Sequence, residues 1–143
     1  MITLLLLFMI AYALNFVWES IHYPLYNCKW PLGSCALVTS FRDAIIIVGI
    51  FLGGGLVFRD FYWPFSLTKK KIALFFIVAF FIAYGIELQG LYLGKWEYNA
   101  LMPIIPLLNV GVSPILQMLV APLVAFFLVK KIMKKHIKEA QVT

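Results

Sequence analysis

The stretch MITLLLLFMIAYALNFVWESIHYPLYNC, residues 1–28, sets the reading of the whole chain. An almost wholly apolar run leads into Asn15, Glu19 and His22, set among Trp18, Tyr23 and Tyr26. A helix crossing a bilayer needs about 20 mostly apolar residues, because ~30 Å of hydrocarbon is covered at ~1.5 Å per residue. This run is long enough. The AYA at 11–13 imitates a signal-peptide cleavage site. However, no basic side chain precedes it, and the apolar run continues through Leu14, Phe16 and Val17. The reading is therefore a retained first helix.

Three further blocks have the same character. The expected helices lie at about 1–20, 41–58, 72–93 and 114–130, in one transmembrane domain spanning 1–143 with a basic tail over 131–143. The chain is 64% hydrophobic and 13% charged, whereas a soluble domain is about half apolar and a quarter charged. The expected fold is an all-α, four-helix transmembrane bundle in the cell membrane.

The net charge of +6 is no nucleic-acid signal, because the positive residues sit at helix ends. Arg59, Lys69, Lys70 and Lys71 fall between helices two and three, and Lys130, Lys131, Lys134, Lys135 and Lys138 follow helix four. The other two loops hold only Lys29, Arg42 and Lys95. The positive-inside rule puts both termini and the middle loop in the cytoplasm, with loops 21–40 and 94–113 outside. The tail KKIMKKHIK reads first as a topology anchor and second as a contact for anionic lipid.

Polar residues inside the blocks form a pattern. Tyr12, Asn15, Glu19 and His22 recur at steps of three and four, making one stripe on helix one that Tyr26 would continue. Tyr84 and Glu87 share a face of helix three. Ser113 reads as an N-cap of helix four, with Pro114 in its first turn and Gln117 one turn on. Ser40 and Asp43 have capping-box spacing at the start of helix two. By chain order and orientation, Glu19, Asp43, Glu87 and Gln117 reach a similar depth in the outer half of the bilayer. Acids at such depth are costly and commonly face a bundle interior. A polar pocket open to the outer side follows, with Glu87, Glu19, Asp43 and His22 as candidate catalytic groups. Asn15, Trp18, Tyr84, Trp96, Glu97, Tyr98 and Gln117 are its candidate walls. The plainer readings are an interfacial Glu19 paired with Arg42, an Asp43 that only caps helix two, and an ordinary interfacial His22. Trp18, Tyr23, Tyr26, Trp30, Tyr92, Trp96 and Tyr98 also suit an outer aromatic belt, and Phe61, Tyr62 and Trp63 an inner one.

GLYLGKWEYNALMPIIPLLNVGVSP, residues 90–114, is too broken for a helix and too apolar for a free loop. A re-entrant or interfacial segment before helix four fits it. Cys28 and Cys35 both lie in the first outer loop, where oxidising conditions favour a disulfide. Their spacing is not that of a C-x-x-C redox motif. GGG at 53–55 reads as a site of close helix packing. No protease, P-loop or dinucleotide motif occurs. His22 and His136 fall on opposite sides of the membrane and cannot share a metal; a metal site of Glu19, His22 and Glu87 is a minor alternative, and no cofactor is expected.

The pattern NFVWE…PLY, FRDA and GKWEYNALMPIIP…GVSPILQ resembles a group of small, uncharacterised prokaryotic four-helix integral membrane proteins. The resemblance implies the helix count and no reaction. In architecture alone the chain is similar to lipoprotein signal peptidase, whose asparagine–alanine–aspartate motif it lacks. It is also similar to the emopamil-binding and sigma-2 receptor group, which places acids in a sterol-accepting pocket. No catalytic residue carries over from either.

Three functions remain open to the sequence. One is an enzyme acting on a lipid or lipid-linked substrate. A carboxyl group in apolar surroundings favours its protonated form and can serve as a general acid. Glu87 is read as that acid, Glu19 or Asp43 as the ionised partner and His22 as a shuttle. The second is a non-enzymatic binder of a small hydrophobic or cationic ligand. The third is an assembly subunit, paired with itself or with another membrane protein. Membrane lipids are the expected partners in the first two. The inner half of the helices holds almost no polar residue, which argues against a transporter.

Overall fold

The computed structural model describes residues 2–28 and 32–140. Four helices make the body: α1 (Ile2–His22), α2 (Leu32–Phe58), α3 (Lys69–Tyr92) and α4 (Val112–Ala140). All four are long and apolar enough to cross a membrane. Two small antiparallel pairs join them at the end away from the termini: β1 (Tyr26–Cys28) with β2 (Trp96–Tyr98), and β3 (Ile104–Ile105) with β4 (Val110–Gly111). The all-α expectation missed these strands. β2, β3 and β4 form where Gly94, Pro103, Pro106 and Gly111 interrupt a helix but leave backbone groups to be paired.

The surface and the interior are reversed relative to a soluble domain. Leu5, Ile21, Leu56 and Phe127 are exposed, while Asn15, His22, Ser40, Asp43, Glu87 and Gln117 are buried. Apolar side chains outward and polar ones inward is the distribution that a lipid solvent selects. Ala11, Ala44, Ala79, Ala83, Ala121 and Ala125 are buried along the helix contacts, where small residues let backbones approach. α1 packs against α2 and α4, and α4 against α3, while α2 and α3 scarcely touch.

Helix ends follow local chemistry. Thr68 caps α3, its hydroxyl accepting from Lys71 N–H at 3.4 Å. Past the C-cap Leu93, Gly94 closes α3 with a φ of 59°, the left-handed conformation that glycine adopts without a Cβ penalty. The Lys95 N–H then returns to Gly90 O at 2.9 Å. Arg59 makes the corresponding cap on α2 at the cost of a non-glycine φ of 51°.

Three local expectations change. α2 starts at Leu32 rather than near 41, because LGSCALVTS contains no proline to stop it extending backward. Ser40 is thus inside the helix, not at its cap. Ser113 lies inside the first turn of α4, which starts at Val112. Trp63 is not in a belt: it is 2% exposed, donates to Phe51 O at 2.9 Å and fills the notch left by Gly54. Gly54 and Gly55 therefore admit the Trp63 and Phe61 rings rather than another helix. The segment from 99 to 111 folds as a hairpin around Met102, which packs on Gly111. Cys35 is disulfide-bonded. The Cys28 side chain and Trp30 lie outside the described residues.

Candidate functional site

The end of the bundle away from the termini holds a cavity of about 50 Å³, room for a few waters. Its walls include Glu19 and His22 of α1, Arg42 and Asp43 of α2, Glu87 of α3, Gln117 of α4 and Trp96 of β2. Each helix thus contributes a polar side chain.

Gln117 stands between the acids. Its Nε2 lies 2.9 Å from Asn15 Oδ1, 3.0 Å from Glu19 Oε1 and 3.3 Å from Asp43 Oδ2. An amide has two N–H donors, so the three acceptors compete for two protons. Asn15 is fixed in turn by donating to Ala11 O at 2.8 Å. Asp43 divides its oxygens: Oδ2 faces Gln117, and Oδ1 takes Arg42 Nε and Nη2, each at 2.9 Å. The Arg42 guanidinium also lies 5.8 Å over the Trp96 ring, a cation–π arrangement. Glu19 divides its oxygens as well, with Oε1 to Gln117 and Oε2 to His22 Nε2 at 3.1 Å.

Glu87 is held by tyrosines. Tyr98 Oη donates to its Oε2 at 2.7 Å and Tyr26 Oη to the same oxygen at 3.3 Å. The β1–β2 register, which sets Tyr26 opposite Tyr98, brings the two hydroxyls together. Burial first, then the Glu87 charge, pushes the Tyr26 hydroxyl above the usual tyrosine range. Tyr98 is raised as well, chiefly by burial, with the Gly111 N–H opposing and Glu87 adding to the rise. Both therefore remain donors. The Trp96 ring occupies the notch at Gly90, where any Cβ would strike it. Its buried Nε1 has no hydrogen-bond partner among the described residues. The nearest acceptor it faces is the Glu87 carboxyl group.

The remaining expected wall residues, Trp18, Tyr84 and Glu97, are not among those that line the cavity. Trp18 is half-buried and donates to Ser113 Oγ at 3.4 Å. Tyr84 stacks on Phe80 at 6.2 Å, because the inward row of α3 runs through Ala79, Ala83 and Glu87. Glu97 is exposed on β2, opposite Asn27. The sequence reading did not name Arg42, Tyr26 or Ser113 as site residues. Ser113 Oγ lies 2.8 Å from His22 Nδ1. Among the described residues no group of three His, Cys, Asp or Glu side chains has metal-site geometry.

A second hollow of about 460 Å³ runs between α2 and α3. Its lining, including Ile46, Gly49, Ile50, Gly53, Val78 and Ile82, is apolar. Ile46 and Ile82 lie about one turn along the same helices from Asp43 and Ile86, so the two hollows follow one another. Gly49 and Gly53 leave this crevice open, with no atom within 4 Å of where a Cβ would stand.

No protein-family model matches the chain, no curated protein matches it in sequence and no solved structure matches it in fold.

Proposed function

We propose that this chain is a multi-pass membrane protein that acts as an enzyme on a lipid or lipid-linked substrate. The polar end of the substrate enters the cavity of Glu19, Asp43, Glu87 and Arg42. The apolar end lies in the crevice between α2 and α3. One observation carries the reading: a charged cavity is followed, along the same two helices, by an apolar crevice. The crevice volume of about 460 Å³ falls in the ~300–1,000 Å³ range of small-molecule sites. Such a two-part hollow suits an amphiphile rather than a wholly polar or wholly apolar ligand.

The chemistry favours a headgroup that offers donors. Three carboxyl groups face the cavity against one guanidinium, so a hydroxyl or ammonium finds acceptors there. Glu19 and Asp43 converge on one amide, and two close carboxyl groups do not both ionise cheaply in a weakly solvated site. A proton held between them is available for acid–base chemistry on the headgroup. In this reading both termini are cytoplasmic, the cavity opens outward, and the β3–β4 hairpin with its exposed Leu107 lies in the bilayer interface.

A lipid bearing a diazirine in its tail tests the proposal in reconstituted bilayers. Photolabelling concentrated on Ile46, Gly53 and Ile82 supports it. Labelling spread evenly over Leu5, Leu56 and Phe127 contradicts it.

A further inference from the structure

A second feature gives the site a reaction. Ser113 Oγ, the His22 ring and Glu19 form a chain in space from α4 to α1, with Ser113 Oγ 2.8 Å from Nδ1 and Nε2 3.1 Å from Glu19 Oε2. Trp18 Nε1 donates to Ser113 Oγ at 3.4 Å. The Glu19 carboxylate can only accept, so the ring proton lies on Nε2; in the neutral ring Nδ1 is then the acceptor and the Ser113 hydroxyl donates to it. A neutral imidazole held this way is a general base toward the hydroxyl. The carboxylate orients the ring and stabilises the imidazolium that forms.

The surroundings suit such a role. His22 is 6% exposed, whereas Ser113 is half-buried. Ser113 sits at the rim of the cavity, since its partner His22 and its neighbour Pro114 both line it. Ser113 is in the first turn of α4, where the Val112 N–H is taken by Pro103 O at 2.8 Å and Pro114 has no N–H, so the Ser113 N–H is the group there left without an intrahelical acceptor and able to favour developing negative charge. A serine needed only to cap the helix would turn its hydroxyl to its own backbone. This one turns to His22.

We propose that Ser113 is a nucleophile activated by His22 and oriented by Glu19, and that the protein transfers the acyl group of an ester carried by its amphiphilic substrate. This inference rests on the lipid-site reading above. Ser113 Oγ attacks the ester carbonyl carbon while its proton passes to His22 Nδ1. The C–O bond to the alcohol breaks, and the departing oxygen takes that proton. The acyl group remains as an ester on Ser113. Water, giving a proton to His22, then attacks the acyl carbon. Ser113 leaves as the hydroxyl by recovering that proton, and a carboxylic acid is released.

A fluorophosphonate probe, applied to the full-length protein in detergent or nanodiscs, tests this. The expected result is a covalent adduct mapped to Ser113, absent in Ser113→Ala and formed at least tenfold more slowly in His22→Gln. A second variant guards against a folding failure. Ser113→Cys should react with iodoacetamide at neutral pH at least tenfold faster than the same variant carrying His22→Gln. No adduct on Ser113, together with alkylation of Ser113→Cys that ignores His22, overturns the relay. If a lipid still co-purifies in that case, the lipid site stands and only the nucleophile is lost. Labelling of Ser113 in protein that retains no lipid keeps the relay and overturns the amphiphilic substrate.

Discussion

Tyr98 donates its hydroxyl proton to Glu87 at 2.7 Å and accepts the Gly111 N–H at 2.9 Å. One side chain thus ties β2 to a carboxyl group of α3 and to β4. Hydrogen bonds to charged groups contribute about 1.5–3 kcal/mol, and their loss leaves a buried acceptor unsatisfied. Tyr98→Phe should therefore destabilise the protein by about 1–3 kcal/mol. Thermal unfolding in detergent measures this. No loss of stability would show that the hydroxyl is dispensable to the fold.

Alkaline pH probes the same pair of tyrosines. Burial raises both hydroxyls above the ordinary tyrosine value. A raised group contributes stability that is complete below its unfolded pKa and is lost as pH climbs above it. Stability should hold up to about pH 10 and fall beyond it. Tyr26→Phe with Tyr98→Phe should flatten that fall. A decline of equal slope in the double variant would contradict the assignment.

Gly90→Ala tests the seat of Trp96. The added methyl would meet the indole ring directly, and a packed core answers such crowding with a cost of about 1–3 kcal/mol. The variant should lose stability and shift tryptophan fluorescence. Gly53→Leu is the contrast. No atom stands within 4 Å of its Cβ position, and replacing a helical glycine removes a penalty of about 0.5–1 kcal/mol. It should leave the fold intact or firmer while filling the crevice, and lipid photolabelling should drop at least fivefold. Unchanged labelling would remove the crevice from the account.

Orientation has its own check. A cysteine at Leu107, which is 94% exposed on the hairpin, should react with an impermeant thiol reagent on intact cells. A cysteine at Ser66, beside the Lys71–Asp60 ion pair of 3.0 Å, should be protected. The reverse pattern would invert the topology.

The depth of Glu19, Asp43, Glu87 and Gln117 was legible because helices of near-equal length alternate direction, so chain order fixes height. What each carboxyl group meets was not. Arg42 read as a loop cation, since α2 seemed to begin beside it; a helix starting at Leu32 instead places it in the cavity wall. Tyr26 and Ser113 reach Glu87 and His22 across 61 and 91 positions of sequence. Their partners depend on the β1–β2 register and on the start of α4, which no helical period encodes. Tyr84 shares a helical face with Glu87 at a step of three, yet the buried row of α3 follows the step of four.

The central claim is that the cavity holds the polar end of an amphiphile, and native mass spectrometry of protein extracted from its own membrane tests it most directly. Glu87→Gln makes the comparison, because the amide is close in size and keeps an oxygen that can accept from Tyr98 and Tyr26, and thermal unfolding in detergent checks that the variant is folded. The account predicts a discrete retained lipid on the unaltered protein and at least a tenfold lower occupancy in the variant. No retained lipid, or equal occupancy in both, would contradict it.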